Sequence, residues 1–131
     1  NIFDGVATSA NYADLAEIYS TDKEYEVGTV MAIGGDAETT EYDKTKSAFG
    51  VISEKPGFLM NKDAEGQAIA FVGRVPVKVN GAVQKGDKVF ADDGGVATTT
   101  KKGELIGFAL ATDTNESTKL VEVALRLINN S

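Results

Sequence analysis

From Gln67 to Val79 the chain reads Gln-Ala-Ile-Ala-Phe-Val-Gly-Arg-Val-Pro-Val-Lys-Val, its longest nearly unbroken apolar and β-branched run. The run is too short to span a membrane and too rich in valine for a good helix, so a long central strand is expected. Val75, Val77 and Val79 alternate with Arg74, Pro76 and Lys78, the period of two of a strand with one buried face, and Ile69 and Phe71 are expected to continue that face. Pro76 then points away from the core. A proline cannot donate to a ladder, so the second half of the strand is expected to be an edge, or to bend at Gly73 where two sheets meet.

Glycine-led half-patterns flank this strand. Val27-Gly28-Thr29-Val30-Met31-Ala32 is followed by Ala48-Phe49-Gly50-Val51-Ile52, and Lys85-Gly86-Asp87-Lys88-Val89-Phe90-Ala91 by Leu105-Ile106-Gly107-Phe108-Ala109. The two pairs of blocks read either as an internal duplication or as the recurrence that glycine-bounded strands show in any β protein.

The other signals are also those of strands and turns. Gly34-Gly35-Asp36, Pro56-Gly57, Asn80-Gly81, Asp92-Asp93-Gly94-Gly95 and Lys101-Lys102-Gly103 punctuate short apolar runs, a pattern of sandwiches and barrels rather than of parallel α/β sheets. The expected fold is all-β, an antiparallel β-sandwich or barrel of about 8–10 short strands. One departure is expected. In Asn11–Tyr19 the residues Tyr12, Leu15 and Tyr19 share a helical face, which predicts a short N-terminal helix or turn. Phe58-Leu59-Met60 is expected to be an apolar loop. With 131 residues and 42% hydrophobic content, residues 11–131 suit a single β-rich domain, and residues 1–10, small and polar around Ile2 and Phe3, the end of a preceding segment.

Composition closes off much chemistry. The chain has no His and no Cys, which removes the commonest general base, the thiol nucleophile and the usual zinc ligands. No phosphate-binding loop occurs, and Asp92-Asp93-Gly94-Gly95 reads as a turn rather than a calcium loop, so neither cofactor nor metal is expected. The net charge is −7, with 13 acids and 5 bases in residues 1–65 against 7 and 8 in residues 66–131. That balance opposes binding to nucleic acid, and no segment has the length of a membrane span.

Several blocks in order resemble a domain at the C-terminal end of tail-fibre and other virion structural proteins of tailed phages, the T4-like marine ones above all. They are Tyr12-Ala13-Asp14-Leu15-Ala16-Glu17, Tyr25–Val30, Gly35-Asp36-Ala37-Glu38, Phe49–Ser53, Phe58–Asn61 and Gly73–Val79. The resemblance implies a fibre shaft ending at residues 1–10, a homotrimer, other virion proteins as partners, a place in the virion after assembly in the host cytoplasm, and a fibre tip that meets a host-cell surface receptor. The apolar Ile2, Phe3, Tyr12, Leu15, Phe58, Leu59 and Met60 are the expected interface, and loops Pro56–Gly66 and Asp113–Ser117 the expected tip.

A more distant similarity is to the autoproteolytic intramolecular-chaperone domains of phage neck appendages, whose Asp-x-Ala-Glu motif Asp14-Leu15-Ala16-Glu17 matches. It implies a cleavage dyad of Asp14 and Glu17 acting on the bond before Asp14. The chain departs from that pattern in having no serine before Asp14. Solvated acids beside a packed Tyr12, Leu15 and Tyr19 explain the same residues without catalysis.

Overall fold

The computed structural model describes residues 13–127 and is all-β. Its ten strands are β1 (Asp14–Tyr19), β2 (Val30–Ile33), β3 (Thr39–Glu41), β4 (Ala48–Ile52), β5 (Phe58–Met60), β6 (Gln67–Val79), β7 (Lys88–Asp92), β8 (Val96–Thr98), β9 (Leu105–Ala109) and β10 (Lys119–Arg126). No helix is long and apolar enough to cross a membrane among these residues.

The 13-residue β6 is the spine. Its second half lies antiparallel to β10 from Val72↔Arg126 to Val79↔Lys119. The ladder continues through β9, β7 and β8, and β8 returns to β6 in parallel at Val79↔Ala97, which closes a five-stranded barrel. The first half of β6 carries β1 on one side and β4 on the other, and β4 extends through β2 to β3 as a wing beside the barrel. Val75, Val77 and Val79 point into the barrel core with Val89, Ile106, Val121, Val123 and Leu125. Since Lys78 N–H bonds the Gly28 carbonyl rather than β10, the imide nitrogen of Pro76, two residues away, also faces away from β10. The proline costs no ladder bond there.

The bend falls at Gly73, but the alternation before it is shifted. Ala16 of β1 stands opposite Ala70 and Leu15 opposite Val72, so Phe71 is an extra residue, a bulge. One extra residue exchanges the faces of a strand. Ala68 and Ala70 therefore continue the face of Val75, whereas Ile69 enters a second core with Tyr25, Met31 and Ile52 inside the wing. Phe71 is half-buried against the barrel core. The expectation that Ile69 extends the valine face is corrected accordingly, while Phe71 packs against the valine core from the bulge.

Two further expectations are corrected. Asp14–Tyr19 is a strand, not a helix or turn: slotted between β5 and β6, its backbone groups are taken by two ladders. Phe58–Met60 is not a loop but the edge strand β5, parallel to β1 with Leu15↔Phe58 in register.

The two halves repeat one hydrogen-bonded frame. Thr29 N–H bonds Glu26 O, Gly28 N–H bonds Ile52 O, and Ile52 N–H bonds Thr29 O; Asp87 to Gln84, Gly86 to Ala109, and Ala109 to Asp87 repeat all three. Gly50 and Gly107 occupy matching places where the next strand crosses closely. A Cβ on Gly50 would meet Ala70 O at 2.6 Å, and one on Gly107 would meet Ala124 O and Val123. The recurrence in the sequence is thus a structural duplication.

Both glycines should resist a methyl group. Gly50→Ala and Gly107→Ala are each expected to destabilise by about 1–3 kcal/mol, and Leu125→Ala in the barrel core by about 2–5 kcal/mol. Lys62→Ala, on an exposed turn, should stay within about 0.5 kcal/mol. Urea melts decide, and a Gly107→Ala midpoint equal to that of Lys62→Ala would overturn the close approach.

Candidate functional site

Among the described residues, the carboxylate at the start of β1 is the one acid that the fold encloses. Asp14 is 3% exposed. It stands opposite Gly73, whose φ of +107° and whose contact with the Ala13 carbonyl leave no room for a side chain. Asp14 Oδ2 accepts from Ser53 Oγ at 2.7 Å, and Oδ1 from Gly57 N at 3.2 Å. Burial pushes its carboxyl above the usual 3.8, while the Ser53 and Gly57 bonds oppose that rise. An open cleft lined by Ala13, Leu15, Gly57, Phe58 and Val72 adjoins it.

Glu17 does not join Asp14. Three residues apart on a strand, the two lie on opposite faces: Asp14 shares its face with the buried Ala16, and Glu17 shares the other with Tyr19. Tyr19 O–H donates to Glu17 Oε1 at 2.9 Å, and burial followed by this carboxylate pushes the phenol up to about 12. Among the described residues no group of three or more acids could hold a metal ion.

Of the residues expected at an interface, Ile2, Phe3 and Tyr12 lie outside the described residues. Phe58 is 63% exposed, and Leu15 and Met60 are half-buried on either side of the β1–β5 ladder. Leu59 is partly absorbed by the barrel core. The two expected tip loops are far apart. Loop 56–66 leads into β6 at Gln67, whereas loop 113–117 precedes β10 at the Val79 end, so they do not form one surface. The sequence reading missed Ser53 and Gly57 as partners of Asp14; Pro56-Gly57 marked only a turn, and nothing in the spacing tied it to residue 14.

No protein-family model matches the chain, and no curated protein matches it by sequence. Among solved structures, the fold is similar to bacteriophage phi29 gene product 12 in two forms. The pre-mature protein matches at a TM-score of 0.67 and 15% identity, over 88% of this chain and 22% of its own length. A C-terminal fragment of the same gene product matches at a TM-score of 0.65 and 15% identity, over 86% of this chain and 100% of the fragment. This chain thus spans about a fifth of the whole pre-mature protein and the entire fragment.

Asp14 makes stability fall with rising pH. Because its folded value lies above that of the unfolded chain, the folded state holds the proton longer, and the stability this confers is present at low pH and is lost as pH rises from about 3.8 through the folded value. The urea midpoint of the native chain relative to Asp14→Asn should therefore drop across that window. A difference independent of pH would mean that the carboxylate is not desolvated as described. Ser53→Ala, which strips one bond from the buried oxygen, should cost about 1–3 kcal/mol.

Proposed function

We propose that the chain is a structural module of a phage virion fibre or appendage that associates with copies of itself as a trimer and caps the fibre. The observation that carries this reading is the fold likeness to the phi29 C-terminal fragment over the fragment's whole length. Agreement over a C-terminal fragment of a bacteriophage gene product argues for a terminal module here. The ordered blocks from Tyr12 to Val79 that resemble tail-fibre domains support the same reading. On the surface, Leu105 and Phe108 of β9 are exposed large apolar side chains on one strand, and Phe58, Ile33 and Leu120 are exposed elsewhere, surfaces that an interface could cover. The module would sit in the virion after assembly in the host cytoplasm, beside other virion proteins. Host-receptor contact would then fall to loop 56–66 or loop 113–117 separately.

Light scattering coupled to size exclusion tests the assembly. A mass three times that of the chain at micromolar concentration is expected. A monomer across that range overturns the trimer.

A second reading, self-cleavage before Asp14, is favoured by the burial of that carboxylate and the upward displacement of its titration. Asp14 would act as a protonated acid at the bond it follows, and Glu17, on the far face of β1, would have to act on a bond presented from that side. Intact mass of a chain extended before Asn1 is the measurement. Two fragments divided between Ala13 and Asp14, reduced to one uncut species by Asp14→Asn, are expected if cleavage occurs. One uncut native species ends this reading.

A further inference from the structure

The outer face of the barrel carries a patch at odds with the rest of the chain. Lys88 on β7, Lys101 in the turn before β9 and Arg126 on β10 border an open cleft of about 600 Å3 with Phe90 and Leu105 in its wall. All three cations are exposed, and none forms an ion pair among the described residues. Glu104 is the one acid lining the cleft, its Oε1 accepting from Ala48 N at 2.6 Å, so three cations there face a single carboxylate. Leu105 and Phe108 beside the cations are each 40% exposed. A cationic, half-apolar patch of this kind persists on a chain of net charge −7.

The wing presents the opposite patch. Its β2–β3 turn carries Asp36 and Glu38, Ser20 and Asp22 are bonded to Glu38, Thr39 and Thr40 beside it, Glu24 follows two residues after Asp22 in the chain, and Ile33 before the turn is 54% exposed. The corner is held rigidly. Glu38 Oε1 accepts from Ser20 N, and the Asp22 carboxylate accepts from Tyr25 O–H at 2.5 Å and Thr40 O–H at 2.7 Å. Two bases adjoin these acids: Lys23, whose ammonium lies over the Tyr25 ring, and Lys46, whose stem passes beside Gly34 of the turn and whose ammonium pairs with Asp43 at 2.7 Å.

We propose that the Lys88–Lys101–Arg126 face of one copy docks the acidic β2–β3 corner of the next, with Leu105 and Phe108 covering Ile33. This rests on the trimeric reading above and names its faces. A closed ring of three cannot be built from one self-complementary patch; two different faces of each copy must meet, and oppositely charged faces with apolar centres satisfy that requirement. The occupant is a second copy because the chain itself supplies the complement in sign and in apolar character.

Charge reversal tests the pairing. Lys88→Glu with Arg126→Glu should weaken assembly about tenfold or more, as should Glu24→Lys with Asp36→Lys, since like charges then face each other across the contact. One chain carrying all four substitutions should recover most of the loss, which no general destabilisation would produce; urea melts of each variant check that the fold is kept. Sedimentation velocity over a concentration series reads all four chains. If the native chain assembles and either reversal leaves it unchanged, or the fourfold chain fails to recover, the faces are wrong while the trimer stands. If the native chain is monomeric, both readings fall. Binding of polyphosphate or heparin to the native chain, lost in Lys88→Glu/Arg126→Glu while assembly is kept, would reassign the patch to an anionic ligand and overturn the docking.

Discussion

The ladder along β6 is the interaction on which the other elements depend. One strand supplies a wall of the barrel through β10 and β8, the attachment of the wing through β4, and the seat of β1. Its two halves meet different demands. The second half is covered on one face, and its outward positions are Arg74, Pro76 and Lys78, with Arg74 paired to Glu122 at 2.9 Å and Lys78 to Glu26 at 2.8 Å. The first half, Ala68 to Ala70, is buried on both faces, and alanines flanking one isoleucine suit a strand pressed between two cores. The bulge at Phe71 is what allows a single strand to serve both, because it exchanges the faces where the environment changes.

Duplication then explains how unlike structures grow from like segments. Each repeat builds a glycine-led turn, a hairpin and a returning strand whose central glycine passes against a neighbour's backbone. In the second repeat the neighbour is β10, and β8 reaches back to Val79, so the sheet closes. In the first the neighbour is β6, already committed to the barrel, and the sheet ends open at β3. The edge at β3 is stitched rather than left bare: Thr39 N–H bonds Ser20 O and Asp22 N–H bonds Thr39 O, while at the far end of the β2–β3 ladder Gly95 bridges Val30 and Tyr42. Edges closed in this way are protected from pairing with strangers.

What could be read from the residues was what local periodicity records. The valine alternation of Val75–Val79, the bend at Gly73 and the matching glycines were legible because strand period and glycine turns are properties of neighbours in sequence. The strand β1 was not. Asp-Leu-Ala-Glu-Ile-Tyr has the composition of a helix, and its Leu15 and Tyr19 fall with the preceding Tyr12 on a helical face; it is extended because β5 and β6 offer it two ladders, a tertiary demand that outweighs a propensity difference of a few tenths of a kcal/mol per residue. The same error concealed the geometry of Asp14 and Glu17, since acids three apart adjoin on a helix and oppose on a strand. The partners of Asp14, at positions 53 and 57, come from a distant turn that no spacing rule connects to it. The face exchange at Phe71 was equally hidden, because a bulge is defined by the partner strand.

The interior leaves little for chemistry to act on. Among the described residues no buried side-chain oxygen or nitrogen lacks a hydrogen-bond partner, and of the four buried polar residues Asp14, Thr29, Thr39 and Ser53, the side chains of Asp14, Thr39 and Ser53 bond backbone or one another. A fully satisfied interior specifies one packing and resists local opening, which suits a part that must bear load more than one that must cycle through states. At the surface opposite charges are interleaved in pairs such as Lys44–Asp93, Lys46–Asp43, Arg74–Glu122 and Lys78–Glu26, whereas Lys88, Lys101 and Arg126 form no ion pair among the described residues. Solubility alone is better served by mixed charges. In the docking proposed above, the unpaired cations of the barrel face and the acids of the wing corner would set one orientation for the contact.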